Sequence, residues 1–152
     1  MENNVRPAQV FDFQIYPMLE PELLLKRGEG RNGKKLLIVL VKLAEEERAE
    51  CMELLAKIMK AINVDLAEDA FLLELEASES FHFLSLHRQL EVECMISFGL
   101  SPNAMGLHFN HQSYVPTTFM QWQFLLADAL PDIAGTQALK GALWAALQKM
   151  FL

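Results

Sequence analysis

Residues 28–35 carry the residue types of a phosphate-binding loop. They read Gly-Glu-Gly-Arg-Asn-Gly-Lys-Lys, close to the pattern Gly-x-x-x-x-Gly-Lys-Ser/Thr, in which backbone amides and a lysine bind phosphates and a hydroxyl binds Mg²⁺. Lys35 stands where the hydroxyl is required, and the segment precedes a predicted strand instead of a helix N-terminus. The pattern therefore favours a solvated basic turn, which would suit an acidic partner segment. Its cations are Lys26, Arg27, Arg31, Lys34 and Lys35.

Histidines are the next residues whose spacing points to chemistry. His108 and His111 lie close together in the sequence, and His82 and His87 precede them. A zinc site needs three or four ligands, and neither Cys-x-x-Cys nor His-Glu-x-x-His occurs in the chain. We therefore expect loop or surface histidines, with no bound metal and no other cofactor.

Nucleophilic and acid–base catalysis have no clear signature either. The chain lacks a Gly-x-Ser-x-Gly elbow, and neither Cys51 nor Cys94 has an obvious activating base beside it in the sequence. Glu74 and Glu76 alternate along a predicted strand, so they share one face, and we expect that face to be solvated. The sequence predicts that the protein is not an enzyme.

Aromatic residues near the C-terminal end are suited in type to stacking on nucleic-acid bases. A base-stacking surface also needs cations between the rings, but residues 110–133 contain no lysine or arginine. The pattern favours aromatic residues of the core or of a protein interface. These residues are Tyr114, Phe119, Trp122 and Phe124.

Composition narrows the class of partner. A length of 152 residues favours one domain, and 52% hydrophobic with 22% charged residues is typical of a globular protein. The formal net charge of −7 argues against direct binding to duplex DNA, which relies on neutralising phosphates. The longest apolar run, residues 36–41, is far too short to span a bilayer, so no membrane association is expected.

Two features predict a cytoplasmic protein. The two cysteines give no disulfide framework and suit a reducing compartment, where we expect them to be buried free thiols. The first residues, Met-Glu-Asn-Asn, have neither the basic start nor the apolar core of a signal peptide.

Hydrophobic patterning predicts an α/β domain over residues 35–152. Residues 35–41 form a Leu/Ile/Val run typical of a central strand covered on both faces. Residues 44–63 repeat apolar positions at helical spacing, and residues 71–75 follow as a strand. This unit predicts a three-layer α/β/α arrangement with a mainly parallel sheet of four or five strands. Further predicted elements are a strand at 92–98, a β-rich stretch at 114–126, a helix at 136–151 and a short helix or turn at 80–90.

Residues 1–34 differ from that domain and are predicted to be an N-terminal docking segment with a basic turn. Prolines at positions 7, 17 and 21 prevent a continuous helix, yet the residues between them are strongly apolar. Apolar residues concentrated in this way fit the burial of a few anchors in a partner's groove. The alternative is that they cover the domain's own core. The predicted partner-binding residues are Phe11, Phe13, Ile15, Tyr16 and Leu19.

The carboxyl ends of the predicted strands give the opposite signal. Ligands of open α/β sheets bind beyond these ends, which here fall at residues 41–43, 75–77 and 98–100. Few polar residues occur there, so we expect no tight small-molecule site at this edge.

The order of motifs in the C-terminal part of the chain carries a resemblance. The strand at 92–98 runs into Gly99-Leu100-Ser101-Pro102, and the β-rich stretch leads to Leu130-Pro131-Asp132-Ile133. The closing helix then carries Lys140, Leu143, Trp144 and Leu147. This order resembles the uracil-DNA glycosylase-like α/β fold. Within that fold it is similar to the psi subunit family of the bacterial DNA polymerase III clamp loader, over about residues 35–151.

The resemblance implies a catalytically silent adaptor. In the glycosylase superfamily that the chain resembles, a Gly-rich turn with an acidic or amide residue follows the first strand, and a histidine motif lies near the last helix. Residues 41–44 and 126–131 contain no glycine or histidine. In the psi family an aromatic N-terminal segment docks on the clamp-loader ATPase subunits, and the globular part pairs with a chi subunit. The resemblance thus implies those ATPase subunits, with a chi-like subunit as a further partner.

Two other functions remain open at this level. One is a diverged glycosylase-like enzyme that processes DNA, which would require a basic face for the nucleic acid. The other is an orphan homo-oligomeric α/β protein, in which the N-terminal segment packs on its own or a neighbouring domain.

Overall fold

The computed structural model describes residues 18–152. Phe11, Phe13, Ile15 and Tyr16 of the predicted docking segment lie outside the described residues. In chain order, the elements are β1 (Met18–Leu19), α1 (Pro21–Arg27), β2 (Leu36–Val41), α2 (Glu45–Ala61), α3 (Leu66–Asp69), β3 (Ala70–Leu75), β4 (Ser80–Phe81), α4 (Phe83–His87), β5 (Cys94–Phe98), a 3₁₀ helix (Pro102–Met105), β6 (Thr117–Phe119), β7 (Trp122–Ala127), α5 (Leu130–Ala134) and α6 (Gln137–Phe151).

A five-stranded sheet in the order β3-β2-β5-β7-β6 forms the centre of the molecule. All its pairs are parallel except β6 with β7, which are antiparallel. Strand β2 lies between β3 and β5, and five of its six residues are buried. The prediction of an α/β protein with a mainly parallel sheet of four or five strands is confirmed.

Alternating strand residues divide the core between the two faces of the sheet. Ile38 and Leu40 point to one face, where α2, α5 and α6 pack; Leu37 and Val39 point to the other, where α1, α4 and the 3₁₀ helix pack. Each face buries a separate apolar cluster, because successive strand side chains point in opposite directions. This arrangement is consistent with the predicted three-layer architecture.

The ambiguous stretch at 80–90 contains both a strand and a helix. Strand β4 pairs in parallel with β1, with Met18 opposite Ser80 and Leu19 opposite Phe81. Helix α4 follows directly and buries Phe83 and Leu86. Two-residue strands carry no periodic signal of their own, and the strand partner of β4 is more than sixty positions away in the sequence.

Residues 18–34 pack against the domain that was predicted to begin at residue 35. Leu24 of α1 is completely buried, and Leu19 and Leu25 pack partly buried on the same cluster. For this described part of the N-terminal segment, the structure favours the alternative in which its apolar residues cover the domain's own core. Within residues 18–152, no helix has the length and apolar character needed to cross a membrane.

Candidate functional site

Six charged side chains meet at the carboxyl ends of β2 and β3 and line a cleft of about 460 Å³. The expectation that this edge would be poor in polar groups was wrong. One comes from β3, one each from α1 and α2, and three from the segments that follow β2 and β3. The lining residues are Arg27, Lys42, Arg48, Glu74, Glu76 and Glu79.

Arg48 of α2 binds Glu74 of β3 through both guanidinium nitrogens. Nη1 donates to Oε2 at 2.6 Å, and Nη2 donates to Oε1. The Leu43 amide also approaches Glu74 Oε2 at 3.5 Å. Glu74 was expected to face solvent, but its side chain is only 18% exposed. The pairing with Arg48 offsets the cost of removing the Glu74 carboxylate from water, because a buried carboxylate without a partner is strongly destabilising.

Arg27, at the end of α1, makes a second bidentate ion pair, with Glu79, on the other face of the sheet. Its Nη1 donates to Glu79 Oε1 at 2.7 Å and its Nη2 to Oε2 at 3.2 Å. The Glu76 amide donates to the same carboxylate at 2.8 Å. Because α1 and the turn before β4 are far apart in the chain, this pair fastens residues 18–27 to the domain.

The chemistry of the cleft follows from these pairs. Hydrogen bonds from Arg48 lower the pKa of Glu74, and hydrogen bonds from Arg27 lower the pKa of Glu79. A general base or acid works best with a pKa near the working pH. The pKa of each of these two carboxyl groups is lowered, away from neutral pH, and the carboxylate oxygens already accept hydrogen bonds from an arginine. The ion pairs of the cleft therefore hold α1 and α2 against the ends of the strands, and neither Glu74 nor Glu79 is prepared as a general acid or base.

These two pairs make an acid-sensitive contribution to stability. Each carboxyl has a lower pKa in the folded chain than its ordinary value of 4.5, so the native state favours its ionised form. The contribution is fully present above the unfolded pKa and is lost as the pH falls through the lower, folded pKa. We expect the free energy of unfolding to fall steadily on acidification below about pH 5.

Glu74→Gln is the variant that tests this origin. It should be less stable than the native chain at pH 7 and should lose less stability between neutral and acidic pH, as measured by urea denaturation at each pH. Glu50→Gln, at an exposed position of α2, is the charge-matched control. Parallel pH profiles for Glu74→Gln and the native chain would contradict the assignment.

The glycine-rich turn covers the edge of β3 and holds no phosphate-binding geometry. Glu29 exchanges backbone hydrogen bonds with Leu72, and the amides of Arg31, Gly33 and Lys34 donate to carbonyls of residues 67–69. An amide already bonded to a carbonyl is not free to bind a phosphate. The rejection of the phosphate-loop reading is confirmed.

The cations of this turn have acidic partners within the chain. Arg31 lies 3.5 Å from Glu68, and Lys34 lies 3.7 Å from Asp69. Lys35 lies 3.5 Å from Glu91. These exposed pairs contribute little stability individually, but they reduce the positive charge that the turn offers to an acidic partner.

Tyr114 closes the loop before β6 against the end of β7. Its hydroxyl donates to Asp128 Oδ2 at 2.7 Å and accepts from the Asp128 amide at 3.2 Å. Burial is the largest cause that raises the pKa of Tyr114 to about 12. The phenol therefore stays protonated at neutral pH and holds the loop to the end of β7. The backbone amide of Tyr114 strengthens this contact by donating to the carbonyl of Leu126.

The aromatic residues and His87 that were considered for base stacking or metal binding pack against other side chains of the domain. Trp122 and Phe124 are buried, which confirms them as core aromatics, while Phe119 is half-buried and stacks on Phe109 at 5.0 Å. His87 packs edge-on against Trp122 at 4.9 Å. Across residues 18–152, no cluster of three histidine, cysteine or acidic side chains comes together in a way that could hold a metal.

The thiols and exposed histidines complete this picture. Cys51 is buried as predicted and Cys94 is half-buried; both are free thiols. Burial raises the pKa of each thiol, so neither is prepared as a nucleophile. His108 and His111 are exposed, as expected for loop or surface histidines.

A second surface feature lies between α2 and α6. It is an apolar groove of about 260 Å³, lined by Leu54, Lys57, Ile58, Ala61, Lys140 and Trp144. The helical spacing of Leu54 and Ile58 predicted that they belong to the buried stripe of α2. Instead they are only half-buried, because α6 does not close over this side of the stripe.

Leu19 is the predicted partner-binding residue that the structure describes. It is half-buried in β1 and contacts the cluster beneath α1 and α4. Its neighbour Met18 is 53% exposed, and Leu23 on α1 is 44% exposed. The described chain therefore begins with an exposed apolar residue, Met18, close to a second one on α1.

Comparison with known proteins adds no relative to this picture. No protein-family model matches the chain, and none of the curated proteins matches its sequence. The contacts described above and the sequence pattern are the observations that bear on its function.

Proposed function

We propose that the chain is a non-catalytic adaptor subunit of a bacterial replicative DNA polymerase clamp loader, similar to the psi subunit family, on a uracil-DNA glycosylase-like fold. Phe11, Phe13, Ile15 and Tyr16, with Leu19 at their base, bind the clamp-loader ATPase subunits. The globular domain links them to a second partner, which in this family is a chi-like subunit.

The state of the sheet's carboxyl edge is the observation that carries the proposal. This edge is where an α/β enzyme places its reactive groups. Here Glu74 and Glu79 are occupied by arginines and have lowered pKa values, and Asp128 is bound by Tyr114. Side chains committed to holding the fold together support an adaptor over a diverged glycosylase.

The apolar character of the surface supports the same function. Met18, the first residue that the structure describes, and Leu23 of α1 are large apolar side chains exposed to solvent. Such residues are typical anchors of protein interfaces. Charge adds to this support, since a net charge of −7 opposes the alternative of an enzyme that grips DNA.

The test is capture of purified bacterial clamp-loader ATPase subunits by the full chain, measured by size-exclusion chromatography. We expect Phe11→Ala/Phe13→Ala/Tyr16→Ala to weaken capture at least tenfold, because aromatic anchors carry most of the free energy at such interfaces. Met120→Ala, which removes a side chain 68% exposed on the β6–β7 turn, is the matched control and should bind normally.

Three results would contradict the adaptor function. The first is normal capture by the triple variant, and the second is no capture by the native chain. The third is excision of uracil from a single-stranded oligonucleotide above the blank rate. Binding of labelled duplex DNA at physiological salt, measured by fluorescence anisotropy, should be weak or absent.

A further inference from the structure

We propose that the groove between α2 and α6 docks an acidic segment of a partner protein, with one apolar side chain of that segment seated against Trp144. The inference deepens the proposed adaptor function, on which it rests, by assigning the second docking surface and the chemistry of its occupant. It places that surface on the sheet face opposite to β1 and α1.

The shape of the groove fits an inserted apolar side chain. Leu54 and Ile58 of α2 form one wall, and Trp144 of α6 forms the other. Trp144 is 36% exposed although it lies in the middle of α6. Tryptophan is among the residues most enriched at the energetic centres of interfaces. Between these walls the apolar surface has no cover from the rest of the described chain.

Charge identifies the kind of occupant. The charged residues that line the groove, Lys57 and Lys140, are both cations. Helix α6 contains lysines but no aspartate or glutamate, in a protein whose net charge is −7. Glu50 and Glu53 precede Leu54 on α2 but do not line the groove, so the charge that an occupant meets inside it is positive, which attracts an acidic segment and repels a basic one. The two lysines are placed to pair with carboxylates on either side of the apolar anchor.

Gly141 gives an independent reason to expect a partner on this side. It is exposed in the middle of α6, and a Cβ built there would meet no heavy atom within 4 Å. Apart from proline, glycine is the least favourable residue in a helix interior, and nothing within the described chain requires it here. Ala138 and Ala145 share its exposed face, so this side of α6 permits close approach of a partner backbone.

Photo-crosslinking of the full chain in its native cell tests the proposal. A benzophenone-bearing residue is introduced at position 148, which is exposed one helical turn beyond Trp144, and in a control chain at position 120 on the β6–β7 turn. Cross-linked peptides are identified by mass spectrometry. We expect position 148, but not position 120, to capture a single peptide with acidic residues flanking an apolar side chain.

Variants then test the two physical components of the site. Trp144→Ala and Lys140→Glu should each lower the cross-link yield from position 148 at least tenfold, while Lys26→Glu, an equal charge reversal at an exposed site on α1, should leave it unchanged. Urea denaturation of each variant confirms that the fold is retained. An unchanged yield in both groove variants would overturn the proposal. So would capture of a basic segment, of a second copy of this chain, or of nothing above the level at position 120.

The outcome also separates this inference from the adaptor function. If position 148 captures an acidic segment of a protein unrelated to replication, the groove assignment stands and the clamp-loader function fails. If the ATPase subunits are captured through residues 11–16 but position 148 captures nothing, the clamp-loader function stands and the groove assignment fails.

Discussion

Replacing Leu143 with alanine is expected to lower the free energy of unfolding by about 2–5 kcal/mol. Leu143 is completely buried where α6 packs on the sheet. Its truncation removes apolar burial and leaves a cavity that the neighbouring strands cannot fill, because sheet backbones do not relax easily. Leu55, equally buried at the centre of α2, should give a loss of the same size. Urea denaturation monitored by circular dichroism measures both.

Leu152→Ala is the matched control for this prediction. It makes the same chemical change at a position that is 67% exposed, so its effect should stay within about 0.5 kcal/mol. Losses below about 1 kcal/mol for both Leu55→Ala and Leu143→Ala would mean that the two helices do not pack on the sheet as described.

The elements with strong periodic signals were predictable from the sequence. The run at 35–41 became β2, and the helical stripes at 44–63 and 136–151 became α2 and α6 within two residues at each end. These segments are long enough for local hydrophobic spacing to determine both the type of element and the face that it buries. The parallel sheet then followed from the β-α-β order.

The charged cleft could not be predicted in the same way. Glu74 alternates with apolar residues along β3, which is the pattern of a solvated position on a half-buried strand. Its environment depends on Arg48, twenty-six positions away, and the pair Arg27–Glu79 spans fifty-two positions. Local spacing contains no information about such contacts. They became visible only when the helices on both faces were placed against the sheet.

The candidate interaction surfaces show the same division. Helical spacing correctly grouped Leu54 and Ile58 with the stripe of α2, but it does not reveal which edge of a stripe a neighbouring helix leaves uncovered. The predicted anchors Phe11, Phe13 and Tyr16 remain a prediction from composition. Leu19, the described member of that set, packs on the domain's own cluster, so its side chain contributes to the core.

Replacing Gly30 with alanine is expected to destabilise the chain by at least about 2 kcal/mol, although this residue lies at the surface. Gly30 has φ of +113°, a backbone conformation that residues other than glycine rarely adopt. An added Cβ would lie 2.1 Å from the backbone oxygen of Ala70. Strain at such a position costs about 1–3 kcal/mol, and a contact with backbone cannot be relieved by rotating a side chain.

The same oxygen of Ala70 accepts a hydrogen bond from the Asn32 amide at 3.2 Å, so moving the turn outward to admit the Cβ would also weaken the cover on the edge of β3. Gly141→Ala is the opposite control. It adds the same methyl group in open space within a helix and should raise the free energy of unfolding by up to about 1 kcal/mol. Opposite signs for the two variants in urea denaturation are the expected result. If Gly30→Ala were neutral, the turn would not be held against β3, and its glycines would have to be explained by contact with another molecule.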